Sequence, residues 1–357
     1  MKILFVITGL GYGGAETQLC NLVHGLREHG NECYIISMTP IEDGIVNRLY
    51  KNVESIVSLE MDKGIPNLGA VFRLRKLIKR IRPDVIHSHM IHSNIISRFA
   101  NIGTGIRLVN TAHNVFEGGV ILESMLRMTD FLSDFNTQVS EEGYLRYLSK
   151  GLFRKQDSRF VQNCIVFPKN PGVIDLTLEF GIEKTDFVLL CVARLEPVKN
   201  HKLLLESLVG LSNVHCIIVG DGYLREELLE YTKSLELEKF VTFAGKRDDI
   251  YEMMQSCDAL VLSSDFEGFP IVVLEALASS LPIITTDVGA ISSVVDSRNG
   301  CLIPVGDRFA LNRAIFDFSN LSKKSISIMG QVSLRRSSSF SASKIAIEWS
   351  KIYSNKI

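Results

Sequence analysis

Short apolar runs along the chain alternate with longer segments whose apolar residues recur every third or fourth position, as in Leu19, Leu22, Val23 and Leu26. The first pattern is typical of strands buried on both faces, and the second of helices that bury one face. The predicted strands are Ile3–Ile7, Cys33–Met38, Val85–His87, Leu108–Thr111, Asn136–Val139, Phe187–Val192, His215–Val219, Val241–Phe243, Ala259–Leu262 and Ile283–Thr285. Regular alternation of strands and helices predicts parallel sheets covered by helices on both faces.

Two such series predict an α/β protein with two Rossmann-like domains, a first at 1–166 and a second at 167–340. The boundary falls near Phe167–Gly172, where two prolines and a glycine break regular structure. A last helix is predicted in 341–357, with one apolar stripe formed by Ile345, Trp349, Ile352 and Tyr353. The serine-rich tract Ser333–Ser343 before it is predicted to be a loop or a weak helix start.

Composition supports a globular protein of two domains, with 357 residues, 46% hydrophobic and 22% charged. The seven cysteines are scattered without a C-x2-C pair, which argues against a disulfide framework and suits a reducing cytoplasm. The apolar run after Met1 is too short for a signal peptide or a membrane span. We therefore expect a cytoplasmic protein, with no nucleic-acid partner.

Charge is divided unevenly, although the net charge is −1: residues 1–165 carry 19 Lys and Arg against 16 Asp and Glu. Part of this excess lies on one helix-forming segment, whose cations are Arg73, Arg75, Lys76, Lys79, Arg80 and Arg82. The segment predicts either a surface helix packed on its own sheet or a helix that also touches anionic lipid at the inner membrane face.

The segment Glu267-Gly-Phe-Pro-Ile-Val-Val-Leu-Glu275 carries two carboxylates eight positions apart. Pro270 is tolerated in the first turn of a helix, so we expect the helix to start at about Ile271. Glu267, Gly268 and Phe269 then lie in the loop before it, and Glu275 one turn inside. Carboxylates accept hydrogen bonds from the hydroxyls of sugars and riboses, although an acidic residue here could also simply complement the helix dipole.

Basic and glycine residues follow other strands of the second half. Arg194 and Lys199 come after its first strand, where an arginine can grip a phosphate bidentately and a lysine adds charge. Gly220 ends the next strand, and Gly245 with Lys246 the one after. Parallel strands end at one edge of a sheet, where ligands bind.

The first half contains G-x-G-x-x-G at Gly9, Gly11 and Gly14, which taken alone indicates dinucleotide binding. That interpretation needs an acid at the end of the second strand, and Ile36–Pro40 supplies none. His113 follows a later strand as a candidate site residue. His87 and His89 alternate on one strand face, but a zinc site needs a third ligand and none stands close in sequence.

These residues together resemble the retaining glycosyltransferases of the GT-B fold in family 4. The matching motifs are the E-x7-E of Glu267 and Glu275, the R-x4-K of Arg194 and Lys199, the GGxE of Gly13, Gly14 and Glu16, the T-x-H of His113, an H-x-H at His87 and His89, the G-x-G of Gly220 and the loop of Gly245. The resemblance runs from Gly13 to Tyr353. It implies two Rossmann-like domains facing each other across a cleft, with the last helix crossing back to the first domain.

By resemblance, Glu267 contacts sugar hydroxyls, while Gly268, Phe269 and Pro270 offer backbone N–H groups or shape. Arg194 and Lys199 hold the donor diphosphate without a metal or cofactor, and Glu275 holds the ribose. Gly13 and Gly14 let the backbone approach the donor phosphates, Gly245 with Lys246 lies at the base, and His113 lies at the reacting sugar carbon.

The resemblance thus implies a hexosyltransferase that uses a nucleoside-diphosphate sugar, UDP being favoured over GDP. The acceptor is expected to be a saccharide, lipid-linked, in surface polysaccharide or glycan synthesis. The alternatives are a sugar-nucleotide epimerase, which would need acid–base residues at the sugar, and a sugar-nucleotide-binding protein without catalysis. One departure concerns the loop after Thr285, where the family has a glycine and a glutamate and this chain has Ala290 and Ser293.

Overall fold

The computed structural model describes residues 1–41, 45–61, 68–116 and 118–355. They divide into two compact units: unit 1 combines Met1–Val166 with Phe340–Ile357, and unit 2 is Phe167–Ser339. Every predicted strand is present, with ends that differ by at most two residues. The structure adds three short strands that the sequence analysis did not predict.

Unit 1 is a parallel sheet with the strand order β3-β2-β1-β4-β5-β6-β7 in the described residues. Its strands are β1 (Lys2–Ile7), β2 (Glu32–Ser37), β3 (Ser55–Ser58), β4 (Val85–His89), β5 (Arg107–Ala112), β6 (Phe135–Gln138) and β7 (Ser158–Phe160). Its helices are α1 (Gly14–Glu28), α2 (Ile45–Tyr50), α3 (Leu68–Ile81), α4 (Ile91–Asn101), α5 (Gly119–Met128), α6 (Glu141–Ser149) and, from the chain end, α14 (Ala342–Tyr353).

Helix α14 packs on unit 1, as the resemblance implied, since its buried Trp349 and Ile352 share one apolar core with Leu22 of α1. Gly25 of α1 permits this approach, because a side chain there would collide with the backbone of Ala342. The chain returns to unit 1 through backbone hydrogen bonds between Ile165 and the segment at Phe340–Ala342.

Unit 2 is a second parallel sheet with the order β10-β9-β8-β11-β12-β13 in the described residues. Its strands are β8 (Phe187–Val192), β9 (Val214–Val219), β10 (Val241–Gly245), β11 (Ala259–Leu262), β12 (Ile283–Thr286) and β13 (Gly300–Ile303). Its helices are α7 (Leu176–Phe180), α8 (His201–Leu208), α9 (Arg225–Ser234), α10 (Ile250–Ser256), α11 (Ile271–Ala278), α12 (Arg308–Ser319) and α13 (Lys323–Ser337).

The prediction of a loop or a weak helix start at Ser333–Ser343 was wrong for most of the tract, because its first residues end a helix. Helix α13 continues to Ser337, a 3-10 turn covers Ser338–Phe340, and α14 begins at Ala342. Ser333 and Ser337 are buried, and Arg336 donates to Val294 O and Asn299 Oδ1, each at 2.9 Å. Packing on unit 2 therefore outweighs the weak helix propensity of serine.

Candidate active site

In unit 2 the strand order reverses between β8 and β11, which lie side by side although two strands separate them along the chain. The loops after two such strands diverge and leave a crevice at their carboxyl ends, the usual ligand site of open α/β sheets. The loop after β8 carries Arg194 and Lys199, and the loop after β11 carries Glu267. The two loops that carry the sequence-predicted cations and the first motif carboxylate therefore lie side by side at this topological switch point.

Lys199 and Glu267 are bonded to each other at this point. Lys199 Nζ lies 2.6 Å from Glu267 Oε1, and the same oxygen accepts a hydrogen bond of 2.7 Å from Ser264 Oγ. Ser264 and Glu267 are both buried. Charge-assisted hydrogen bonds of this kind hold a carboxylate in one orientation, so Glu267 is fixed before any ligand arrives.

The loop that carries Lys199 is itself tied to the loop after β11. Asn200 Nδ2 donates to Asp265 Oδ1 at 2.7 Å, and Asp265 N donates to Val198 O at 2.9 Å. Ser263 Oγ lies within 3.0 Å of the carbonyl oxygens of Lys199 and Asn200. The two loops therefore form one hydrogen-bonded unit around the ion pair.

Arg194 is placed differently, because its side chain is 61% exposed and pairs with Glu196 at 2.8 Å. The structure brings Lys199 to Glu267 but leaves the Arg194 guanidinium on the surface of the same loop. An exposed ion pair of this kind contributes little to stability, so exchanging Glu196 for an anionic ligand would cost little.

The motif helix begins where the sequence predicted, since α11 starts at Ile271 and Pro270 occupies the position before it. Gly268 and Phe269 lie in the preceding loop, and Phe269 is buried. Glu275 lies one turn inside α11 and is also buried. A carboxylate in an otherwise apolar helix is costly to bury, which favours a specific role over a solvated one.

The loop after β12 holds the motif loop by its backbone. Gly289 has φ +56°, and a side chain there would collide with the carbonyl oxygens of Glu267 and Gly268. Ala290 N donates to Gly268 O at 3.0 Å. Ala290 thus serves through its backbone, and Ser293 bonds within its own turn, to Ala290 O at 2.6 Å.

The ends of β9 and β10 are joined by Gly220 N, which donates to Gly245 O at 2.8 Å. Gly220 has φ +137°, and a side chain on it would collide with Ala193 O at the end of β8. Lys246 is exposed after β10. The next residue, Arg247, pairs with Asp249 and Glu179 and fixes the course of this loop.

In unit 1 the strand order reverses between β1 and β4. Gly13 is the extended residue before α1 and Gly14 is the first residue of that helix. Met90, directly after β4, has φ +75° although it carries a side chain. Such a conformation costs free energy and is concentrated at functional sites, so this edge is the candidate site of unit 1.

Three histidines cluster at the same edge. His89 Nδ1 lies 2.9 Å from His113 Nε2, and the rings of His87 and His89 are tilted by 39° with centroids 4.1 Å apart. Burial lowers the pKa of His113 to about 4 and the pKa values of His87 and His89 well below their usual range. All three rings are therefore neutral at pH 7. In the described residues no group of three or more His, Cys, Asp or Glu could hold a metal ion.

Helix α3 buries its apolar face in unit 1, where Leu74 and Ile78 join the core. Its cations Arg73, Lys76, Lys79 and Arg80 are exposed. Arg75 differs, because its guanidinium donates to Ala100 O and Ile102 O at 3.0 and 2.6 Å. Among the residues that the structure describes, no helix is long and apolar enough to cross a membrane.

Comparison with known proteins adds two family matches. The model named Glycosyltransferase Family 4 matches residues 12–161, and the model named Glycosyl transferases group 1 matches residues 177–328. EpsF of Bacillus subtilis, named provisionally as a glycosyltransferase, is 36% identical over 84% of this chain and 82% of its own. An α-1,4-N-acetyl-D-galactosaminyltransferase of Campylobacter jejuni, named for a diphospho-undecaprenol-linked saccharide, is 26% identical over 99% of this chain and 98% of its own.

Among solved structures, Anabaena HepE in complex with UDP-glucose has a TM-score of 0.84. The sequences are 20% identical, and the similarity covers 99% of this chain and all of the other. This likeness confirms the two-domain fold that the sequence predicted.

The residues that support the site, unlike those in it, carry no motif in the sequence. The two loops of the switch point are linked by Ser264, Asn200 and Asp265. The loop after β12 approaches the motif loop at Gly289, and the loop after β10 is held by the ion pairs of Arg247. The one available signal was position, since Ser264 and Asp265 come directly after a predicted strand.

Proposed function

Because the chain belongs to the group 1 glycosyltransferases of the GT-B fold, we propose that it is a retaining, metal-independent hexosyltransferase that uses a UDP-sugar. The observation that carries the proposal is the Lys199–Glu267 ion pair at the β8/β11 switch point, 2.6 Å between Nζ and Oε1. It joins a group that can bind a diphosphate to a group that can bind sugar hydroxyls. The UDP-glucose complex of the similar HepE fold supports the choice of nucleotide.

In the proposed donor complex, Lys199 and Arg194 bind the diphosphate and stabilise the negative charge that grows on it as the glycosidic bond breaks. Glu267 receives hydrogen bonds from the sugar, and Glu275 from the ribose. The backbone of Gly268 and the side chains of Phe269 and Pro270 shape the sugar site. Gly220, Gly245 and Lys246 line the nucleotide.

Unit 1 is proposed to bind the acceptor, with Gly13 and Gly14 close to the donor phosphates. His113 hydrogen-bonds the transferred sugar or the acceptor hydroxyl as a neutral ring. The chemistry needs no enzymic nucleophile, because the departing diphosphate can receive the acceptor proton on the face from which it leaves. Bond making and bond breaking on one face retain the anomeric configuration.

The acceptor is proposed to be a lipid-linked saccharide, and the enzyme a peripheral protein at the cytoplasmic membrane face. The Campylobacter relative named for an undecaprenol-linked saccharide supports the first statement. The exposed cations of α3 support the second, since each gains up to about 1 kcal/mol near an anionic lipid surface.

A radiolabelled-donor screen tests the proposal. UDP-, GDP- and ADP-hexoses are incubated with the enzyme alone, to score slow hydrolysis, and with short undecaprenyl-diphosphate saccharides, to score transfer. Transfer from a UDP-hexose with the anomeric configuration kept is the expected result. Release of sugar from GDP-hexoses alone would contradict UDP as the donor nucleotide. A product of inverted anomeric configuration would contradict the retaining mechanism. Conversion of one UDP-hexose into its epimer would show that the protein is an epimerase and not a transferase.

A further inference from the structure

The hydrogen bonds around His87 fix where its proton lies. Thr137 Oγ1 donates to Asn110 O at 3.3 Å and therefore accepts from Thr111 Oγ1, 2.7 Å away. Thr111 Oγ1, having donated, accepts from His87 Nε2 at 2.7 Å. The proton of a neutral His87 is thus on Nε2, and its Nδ1 accepts from the Tyr353 hydroxyl at 2.7 Å. Every polar group in this series of hydrogen bonds therefore has a partner.

His89 lies on the same strand face, with its ring in contact with that of His87, and is 1% exposed. Its Nδ1 contacts His113 Nε2 at 2.9 Å, whereas no hydrogen-bond partner for its buried Nε2 exists among the described residues. A buried N–H without an acceptor is rarer in proteins than an acceptor left short of a donor. The neutral His89 ring therefore carries its proton on Nδ1 and leaves a bare Nε2.

We infer that His89 is a positioning residue that fixes the tautomer of His113. If His89 Nδ1 donates, His113 Nε2 accepts, and the single proton of the neutral His113 ring stays on Nδ1. His113 can then donate only from Nδ1, and its Nε2 is not available to take a proton from an acceptor hydroxyl. This inference rests on the proposed function only for its catalytic consequence, because the tautomer itself is a property of the protein alone.

The proton position can be read by NMR on protein labelled with 15N-histidine. The chain has eight histidines, and the signals of His113 are assigned as those lost in His113→Gln. In the wild type we expect a protonated Nδ1 and an unprotonated Nε2 in His113. The opposite pattern, with the proton on Nε2, overturns the inference whatever the enzyme does.

Two substitutions of His89 form a matched pair. An asparagine amide can place an N–H near the position of the histidine Nδ1, whereas a glutamine amide reaches the position of Nε2. His89→Asn should keep the His113 tautomer and most of the turnover. His89→Gln should give a mixed tautomer and lower kcat by about fivefold to tenfold, the usual value of one neutral hydrogen bond, with UDP affinity unchanged.

The two readouts separate the inference from the proposed function. If the tautomer shifts in His89→Gln while transfer stays at the wild-type rate, the positioning is real and the proposed role of His113 in the reaction is wrong. If the tautomer is the same in both variants and in the wild type, His89 does not fix it and the inference fails. Thermal unfolding of both variants excludes a loss of fold as the cause.

Discussion

Lys199 Nζ and Glu267 Oε1 lie 2.6 Å apart, and the residues are separated by 68 positions in the chain. Their side chains are only 19% and 10% exposed. The two groups to which the motifs assign different parts of the donor thus hold each other in place. In the proposed donor complex the diphosphate is a second anion beside Lys199, so Lys199 would bridge Glu267 and the phosphate without being released from either.

Replacing Lys199 by alanine should therefore do more than remove a phosphate contact. It leaves a mostly buried carboxylate short of its cation, which we expect to cost about 1–3 kcal/mol of unfolding free energy. UDP affinity should fall as well. Lys199→Arg should restore part of both, because a guanidinium also bonds carboxylates and phosphates.

Lys202→Ala is the matched control, since Lys202 follows Lys199 by three residues and pairs with Glu227 on the surface, with side chains about half exposed. It should change the unfolding free energy by less than about 1 kcal/mol. Urea unfolding and UDP calorimetry measure both quantities. Equal losses of unfolding free energy and UDP affinity in Lys199→Ala and Lys202→Ala would show that the buried pair contributes no more than an exposed one.

The residues of this pair could be predicted from the sequence, but their bond could not. Motif spacing places Glu267 before a helix and Lys199 after a strand, and both placements depend on local signals such as Pro270. The bond depends on which strands are neighbours, and β8 pairs with β11 across two intervening strands. Periodicity within a segment carries no information on such long-range order.

The same distinction explains the serine-rich tract and the added strands. Ser333 and Ser337 are helical because of contacts made by α13 on residues far away in sequence, such as Asn299, whose Nδ2 lies 3.3 Å from Ser333 Oγ. The short outer strand β3 is only partly buried and so lacks the continuous apolar run of a central strand. Local propensity predicts neither feature.

The two motif glutamates should respond differently to substitution. Glu267→Ala should lower turnover strongly without weakening the binding of free UDP, because the proposed partner of Glu267 is the sugar and Lys199 remains to bind the diphosphate. Glu275→Ala should weaken the binding of UDP itself by about 1–3 kcal/mol, the cost of removing one partner of a charged hydrogen bond. Calorimetry with UDP and steady-state transfer assays distinguish the two, and the reverse pattern would show that the roles are exchanged.

Transfer should not require a divalent metal, since Lys199 and Arg194 are proposed to neutralise the diphosphate. Activity in excess EDTA should equal activity without it, and added Mg²⁺ or Mn²⁺ should change the rate little. A matched assay in Lys199→Ala is informative, because a metal could replace the missing cation there. Loss of wild-type transfer in EDTA with recovery on adding Mg²⁺ would contradict the role of the two cations.

Acid should destabilise unit 2 through His201, which is buried, with neither ring nitrogen bonded to a described residue. Burial lowers the pKa of His201 to about 4. Since the folded pKa lies below the unfolded value of about 6.5, the stabilising effect of the neutral ring is complete above pH 6.5 and is lost as pH falls towards 4. His201→Leu should reduce this slope by up to about 1.4 kcal/mol per pH unit.

Urea unfolding at several pH values from 8 to 5 measures the slope. The single tryptophan, Trp349, lies in unit 1, so its fluorescence follows that unit while circular dichroism follows both. Above pH 7 the free energy of unfolding should depend on pH in the same way in the variant and the wild type. Below pH 7 the two should diverge when unfolding is followed by circular dichroism, but not when it is followed by tryptophan fluorescence. Parallel profiles down to pH 5 would mean that His201 is charged in the folded protein.

Binding to membranes should depend on the exposed cations of α3 and on salt. Changing Lys76, Lys79 and Arg80 to glutamate should abolish co-sedimentation with vesicles that contain anionic lipid, and Arg75 is kept because it bonds the carbonyls of Ala100 and Ile102. The control reverses three exposed lysines of unit 2, Lys233, Lys239 and Lys324, for the same change in net charge. Raising the ionic strength to about 1 M, where the Debye length is about 3 Å, should release the wild type. If the protein co-sediments equally with neutral and anionic vesicles, or if both triple variants lose binding equally, α3 is not the lipid contact. A soluble acceptor would then be favoured.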